Sequence, residues 1–385
     1  MKAMREATIW HVGGEDVRMR IPLLLNLREK GFRVGAVGSE NGRAFFEHQI
    51  PYFQYTLKRG IDPKADRQSI EQLFHLFRQH QPDLVHGFDT KPACLVPPIA
   101  QKAGIEGRVR TIAGMGYVFS SQSPLALALR PIYRHLQRRA SAAAQVTIFQ
   151  NPDDRDYFYR NRMVREGNEE LVLGSGIDIE GLMQQRPALD DLTALRQELE
   201  LTGKLVVTAI SRLVATKGIR EFLQAARIVC QQVENVAFLL VGPIDSEAKQ
   251  AISLAEVQKS AQFVRYLGVR NDIPAILSLT DVFVMPSYYR EGVPRVLLEA
   301  GAMGVASIAT HMPGCKEVVR DGWSGLLVPP RDSQSLATAI VRLLVSAGDR
   351  TVMGSRLRSD VRDRFSLARV ADAYSQIYSR VLRSA

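Results

Sequence analysis

The chain has 385 residues, 46% of them hydrophobic and 23% charged, a globular composition at a length that favours two domains. Its formal net charge of +10 predicts attraction to anionic partners, so nucleic acid, an anionic membrane surface and phosphorylated ligands all stay open. Three cysteines (Cys94, Cys230 and Cys315) exclude a disulfide framework and have no metal-ligand spacing. The start "MKAMREATIWHVGG" lacks the apolar core of a secretory signal, and no apolar run approaches the roughly 18 residues of a spanning helix. A reduced, cytoplasmic setting is expected, with peripheral membrane contact open.

Short apolar runs alternate with longer helical patterns, which is the signature of parallel βαβ units. "ATIWHVGG" reads as a first strand ending in two glycines, and "VRMRIPLLLNLREKG" as a helix closed by glycine. "FRVGAVGS", "LVHGF" and "RVRTIAG" follow as strands, with a helix over "SIEQLFHLFRQHQPD". After the polar, Gly- and Pro-punctuated stretch 174–203 a second series begins. "KLVVTAIS", "VAFLLVG", "FVRYLG", "DVFVMPS", "ASIAT" and "SGLLVPP" are its strands. "GIREFLQAARIVCQQ", "SEAKQAISLAEVQKSA", "DIPAILSLT" and "SQSLATAIVRLLVS" are helices, and "LARVADAYSQIYSRVLR" is a closing amphipathic helix. The predicted layout is a first α/β domain over 1–180, a second over 181–360, and a helix over 361–385 that crosses back to the first. Two doubly wound domains facing across a cleft would bind ligand at the carboxyl ends of their strands.

Two stretches carry chemistry. "AISRLVATKG" puts Arg212 and Lys217 on a turn directly after a strand, where a forked guanidinium and a point-like ammonium could clamp a diphosphate. "SYYREGVPRVLLEAGAMG" puts Glu291 on a loop before a helix and Glu299 inside that helix. Pro294 suits the first helical turn, which would leave the Gly292 and Val293 amides at a helix N-terminus, attractive to phosphate or hydroxyl oxygens. A carboxylate can accept two hydrogen bonds from a vicinal diol, so one acid for a sugar and one for a ribose is coherent. Taken alone, the cation pair also fits a solvated loop, and the acidic pair also fits a solvated Glu291 with Glu299 on a helix face. Asp154-Arg155-Asp156 spells D-x-D, but Asn151 before Pro152 marks the run "NPDDRDYF" as a capped helix instead of a metal site.

Together, "SRLVATKG", "EGVPRVLLEAGAMG" and "HMPGCKEVVRDGWSGLLVPPRD" resemble the family-4 retaining glycosyltransferases of the GT-B fold, with two Rossmann-like parallel-sheet domains. "LGSGIDIEGL" resembles that family's interdomain segment. "LVHGFDTKP", "RVRTIAGMGYVFSS" and "TIFQNPDDRDYF" resemble its subgroup acting on polyprenyl-diphosphate-linked sugars. The resemblance implies that Arg212 and Lys217 hold the donor's diphosphate as it leaves. It implies that Glu291, with the Gly292 and Val293 amides, contacts the transferred sugar, and that Glu299 holds the ribose. The loop "LGVRND", which contains Arg270, would pack the nucleobase, and Gly13 and Gly14 would let the backbone approach the diphosphate. Leaving-group charge can be met by a metal or by fixed cations and amides. The expectation is metal-independent transfer with retention and no cofactor beyond the nucleotide-sugar, UDP-linked by resemblance.

One departure stands out. Many members carry a first-domain histidine where this chain has "AGMGY", Ala113 to Tyr117. His86, ending "LVHG" with Asp89 and Lys91 beyond it, either reaches the cleft and aids catalysis or is a structural strand-end histidine. No base is strictly required, because the departing diphosphate can take the acceptor's proton. "LRPIYRHLQRRAS" places Arg130, Arg134 and Arg138 at i, i+4, i+8, with Arg139 beside them and Leu129, Ile132, Tyr133 and Leu136 as apolar complement. Such a helix reads as a contact for a membrane surface or the acceptor's diphosphate, or as a solvated helix packed on its own domain. No nucleic-acid motif is present. The expected protein moves a hexose or N-acetylhexosamine to a lipid-linked glycan acceptor in bacterial surface glycan assembly, peripheral on the inner face of the membrane. The rivals are a transferase with a soluble acceptor, an epimerase, and a non-catalytic nucleotide-sugar-binding scaffold.

Overall fold

A computed structural model describes residues 6–58, 60, 62–120, 123–245 and 250–384. The chain divides into two compact units. The first holds Met1–Gly176, Arg290–Val293 and Leu367–Ala385; the second holds Ile177–Tyr289 and Pro294–Ser366.

In the first unit the described strands are β1 (Thr8–Val12), β2 (Arg33–Gly38), β3 (Tyr52–Gln54), β4 (Leu84–Gly87), β5 (Gly107–Ile112), β6 (Val146–Phe149) and β7 (Glu169–Leu171). They form one parallel sheet in the order β3-β2-β1-β4-β5-β6-β7. The inner strands are buried on both faces, as expected when helices cover both sides of a parallel sheet. Strand order reverses between β1 and β4, so the loops after these two strands diverge and leave a crevice at their carboxyl ends.

In the second unit β8 (Leu205–Ile210), β9 (Val236–Val241), β10 (Val264–Tyr266), β11 (Val282–Met285), β12 (Ala306–Thr310) and β13 (Gly325–Val328) form a parallel sheet ordered β10-β9-β8-β11-β12-β13. Its reversal lies between β8 and β11, the strands that precede the two chemistry-bearing stretches. Phe222, Phe238, Ile308, Ile340 and Leu343 are fully buried in its core.

Two local readings change. "VRMR" forms a 3-10 turn (Val17–Arg20), and the α-helix starts only at Ile21, where Pro22 fits the first turn. "SEAKQAISLAEVQKSA" is helical only over Leu254–Gln258, capped by Ser253; its residues 246–249 lie outside the described residues. A helix Pro92–Ala103 carries Pro97 and Pro98 in its interior and is buried along most of its length. The last helix, Leu367–Ser384, buries Val370, Tyr374, Ile377, Tyr378 and Val381 in the first unit's core, against Leu24, Leu27 and Phe32 among others.

Candidate functional site

At the second unit's reversal the chain leaves β8 through a tight turn. Gly218 has φ +73, and a Cβ there would sit 2.0 Å from the Pro286 carbonyl oxygen, so only glycine lets this turn lie against the end of β11. Lys217 is thereby fixed at the reversal, half-buried, with Nζ 5.8 Å from the centre of the Tyr289 ring. The Tyr288 amide donates to the Thr216 carbonyl, and Ser287 Oγ donates to the same oxygen, so the loops after β8 and β11 are stitched together here.

Arg212 is exposed, and its Nη1 pairs with Asp245 at 2.6 Å. Gly242 makes this possible: with φ +139, its missing Cβ would lie 1.9 Å from the Ser211 carbonyl oxygen. A phosphate reaching Arg212 meets a guanidinium with one donor already committed. Glu299 is largely buried in the helix Arg295–Ala302 and paired with Arg295 at 3.0 Å; burial pushes its carboxyl above the usual range, and Arg295 opposes that. Arg270 forks onto Asp272 at 2.8 and 2.5 Å, which raises the Arg270 pKa and lowers that of Asp272.

In the first unit Gly13 and Gly14 follow β1. Neither has a positive φ, so backbone conformation does not call for glycine here. A Cβ on Gly13 would press to 3.2 Å from Val17, whereas one on Gly14 would make only an ordinary 3.4 Å contact with Leu57. Beside them, after β4, stands Asp89 at φ +68, its pKa raised by burial and opposed by Arg20 at 3.5 Å. Asp89 is the acid at this crevice to which sequence reasoning gave no role of its own; a lone acid after a strand is too common a signal.

His86 does not reach the crevice. Its ring is fully buried, with Nε2 bonded to Thr111 Oγ1 at 2.8 Å and Nδ1 to the Tyr378 hydroxyl, which also meets His11 Nε2 at 2.9 Å. Both ring nitrogens are thus engaged, and the residue fastens the last helix instead of offering a base. Burial holds both imidazoles well below the ordinary histidine pKa. Unfolded histidines titrate near about 6.5, so below that pH the unfolded chain binds protons that the folded one refuses. Stability is therefore complete above about pH 7 and falls as pH drops through the unfolded value, by up to about 1.4 kcal/mol per pH unit for each ring. Thermal midpoints measured from pH 8 to 5 should show this fall, and a His11→Gln/His86→Gln variant should flatten it. A fall of equal steepness in the variant would remove the assignment.

Glu291, Gly292 and Val293 belong to the Arg290–Val293 segment of the first unit. Glu291 is half-buried and forms an antiparallel bridge with Gly114. The helix beyond starts at Arg295 with Pro294 as its N-cap and not in the first turn as expected, and the Gly292 and Val293 amides lie just before that cap. Asn151 does cap the helix Pro152–Arg160, accepting from the Asp154 amide at 2.8 Å, which makes "NPDDRDYF" a helix start. Among the described residues no group of three or more His, Cys, Asp or Glu is placed to hold a metal ion.

The basic helix is Pro124–Ala143. Its arginines are less free than their spacing implied. Arg130 donates to the Val118 carbonyl, Arg134 to the Tyr157 hydroxyl, and Arg138 to the Arg162 and Asn161 carbonyls. Beneath it Arg110 is fully buried, its pKa pulled down to about 10 by burial, and binds Gln137 of the helix, Thr147 and the Met163 carbonyl. Leu125, Leu127, Ile132 and Leu136 stay exposed, as does Arg139. Among the described residues no helix is long and apolar enough to cross a membrane.

Comparison with known proteins follows the same division. Residues 204–346 match the profile described as "Glycosyl transferases group 1", and residues 13–151 match "Glycosyl transferase 4-like". Over 384 residues the chain is 24% identical to the N,N'-diacetylbacillosaminyl-diphospho-undecaprenol alpha-1,3-N-acetylgalactosaminyltransferase of Campylobacter jejuni, covering 99% of this chain and 100% of that protein. Over 332 residues it is 26% identical to the UDP-Gal:alpha-D-GlcNAc-diphosphoundecaprenol alpha-1,3-galactosyltransferase of Escherichia coli, covering 85% of this chain and 83% of that one. The solved structure of Anabaena Alr3699/HepE in complex with UDP is similar in fold, with a TM-score of 0.78 at 19% identity, over 97% of this chain and 100% of that one.

Proposed function

Since this chain belongs to the family-4 glycosyltransferases of the GT-B fold, we propose that it moves a hexose or N-acetylhexosamine from a UDP-linked donor to a polyprenyl-diphosphate-linked acceptor, in bacterial surface glycan assembly. The observation that carries the acceptor class is the pair of relatives matched over 99% and 85% of this chain, both named for diphospho-undecaprenol-linked sugars.

The chemistry is the breaking of the bond from the anomeric carbon to the donor's diphosphate and its replacement by a bond to an acceptor hydroxyl. Negative charge grows on the departing diphosphate, which takes up the acceptor's proton. Lys217, fixed at the second unit's strand reversal, faces that charge, and Arg212 assists. Glu299 receives the ribose hydroxyls, the loop of Arg270 packs the base, and Glu291 with its neighbouring amides holds the transferred sugar. Attack from the face the diphosphate leaves gives retention. These fixed cations and amides supply the stabilisation, so transfer is metal-independent. The exposed Leu125, Leu127, Ile132 and Leu136 beside Arg139 supply a surface for the inner face of the membrane, where the acceptor's lipid resides.

The test is nucleoside-diphosphate release by purified protein against a panel of nucleotide-sugars, with and without polyprenyl-diphosphate-sugar and with and without chelator. Release from a UDP-sugar that requires the lipid-linked acceptor and survives chelation is expected. Equal turnover on a water-soluble glycan would replace the acceptor class, and a strict divalent requirement would replace the metal-free assignment. Co-sedimentation with vesicles containing anionic phospholipid should be lost in an Ile132→Glu/Leu136→Glu variant; undiminished binding would move the membrane contact elsewhere.

A further inference from the structure

Asp154 is a fully buried carboxylate in the first turn of a helix, where free amides would satisfy it locally. One of its oxygens reaches far along the chain instead. Oδ1 accepts from Arg290 Nη2 at 2.8 Å, and Oδ2 accepts from Asn151 Nδ2 at 3.0 Å. The same Asn151 nitrogen also lies 3.2 Å from the Glu291 carbonyl oxygen and 3.4 Å from that of Gly292. Two side chains of one helix start therefore hold three consecutive residues, one through its guanidinium and two through their carbonyls.

Close backbone contact completes the grip. Gly114, at φ +116, bridges Glu291, and a Cβ there would sit 2.9 Å from the Arg290 carbonyl oxygen. A Cβ on Gly292 would sit 2.1 Å from Gln150 Oε1. The Arg290 guanidinium lies 5.6 Å from the Tyr157 ring centre, which fixes its plane.

We propose that the Asp154–Arg290 ion pair, with Asn151, is a positioning device that sets the Glu291 carboxylate and the Gly292 amide where the transferred sugar must meet them. The inference rests on the assignment of Glu291 to that sugar. A purely stabilising role is a poor explanation for the pair. Desolvating two charges offsets most of their attraction, and a buried ion pair adds little net stability over apolar side chains of the same shape. What it adds is geometry, because each partner has few other places to go. Burial raises the Asp154 pKa, and the nearby Arg290 opposes that rise.

The test measures kcat, KM and thermal midpoint on the full chain, with UDP-galactose and UDP-N-acetylgalactosamine as donors and polyprenyl-diphosphate-sugar as acceptor. Four variants are compared: Asp154→Asn, Arg290→Lys, Glu291→Gln, and the Asp154→Asn/Glu291→Gln double. A misplacement of about 1 Å costs on the order of 100-fold, so Asp154→Asn should lower kcat about 10- to 100-fold with a smaller change in donor KM. On the Glu291→Gln background the same change should cost less than about 3-fold, because residues acting as a unit are not additive. If Asp154→Asn fails to fold, Arg290→Lys keeps the charge opposite Asp154 and should still lose about 10-fold in kcat with a near-native midpoint. Unchanged kcat in a folded variant, or full multiplicative loss in the double variant, overturns the positioning role. Unchanged kcat in Glu291→Gln alone instead overturns the premise about the sugar, and the two failures are told apart by which single variant stays active.

Discussion

Lys217→Ala should lower kcat about 100- to 1,000-fold while the thermal midpoint stays near that of the unaltered chain. The magnitude is that of removing one fixed donor from a site where charge develops in the transition state, about 3–4 kcal/mol. The ammonium stands at the carboxyl end of β8, on a turn that only Gly218 permits, with the Tyr289 ring at 5.8 Å. A point charge held there is better placed for a departing diphosphate than for a neutral sugar, because the diphosphate gains charge as the glycosidic bond breaks. The loss should therefore appear chiefly in kcat, with donor KM rising less. A donor analogue with a better leaving group should recover part of the rate. Loss confined to KM would assign Lys217 to ground-state binding alone, and full activity would remove it from the reaction. Arg212→Ala should cost less, because Asp245 already occupies one of its donors.

The sequence was most readable where physics is local. Alternating apolar runs and helical patterns announced two parallel α/β arrays, and the stretches carrying Lys217 and Glu291 follow β8 and β11, the strands between which the order reverses. The cap at Asn151 follows from short-range chemistry and stands where it was expected. Partnerships made across long stretches of chain were not readable. The Tyr378 hydroxyl that engages His86 lies 292 residues away, so nothing near "LVHG" tells a buried structural imidazole from one facing solvent. The arginines at 130, 134 and 138 have the spacing of a solvated stripe, yet the groups that hold them come from separate segments around 118, 157 and 161–162. The edge strands β3 and β7 are three residues each and only partly buried, too short for periodicity to show. Pro97 and Pro98 likewise disguise a helix whose burial outweighs the cost of two internal prolines. The link from Asn151 to Glu291 spans 140 residues, so the membership of 290–293 in the first unit was beyond any local pattern.

Glu291→Ala should remove about 100- to 10,000-fold of kcat/KM without unfolding the chain. A carboxylate accepting from two sugar hydroxyls makes two hydrogen bonds to a charged group, each worth about 1.5–3 kcal/mol. Truncation also leaves the donor sugar free to rotate about its bond to the diphosphate, so the anomeric carbon spends less time presented to the acceptor. The fold should tolerate the change. Asn151 and Gly114 hold this residue through its backbone, and Asp154 engages the neighbouring Arg290, so truncating the side chain breaks none of these contacts. A native midpoint with collapsed turnover assigns the carboxylate to the sugar. Glu291→Gln keeps the shape and one acceptor oxygen, so its loss should be smaller. It should also be greatest with the preferred donor, because a donor whose hydroxyls already miss the carboxylate has less contact to lose. Equal turnover by the alanine variant and the unaltered chain would mean that the sugar is held elsewhere, and the search would then pass to Asp89, the raised-pKa carboxyl beside Gly13.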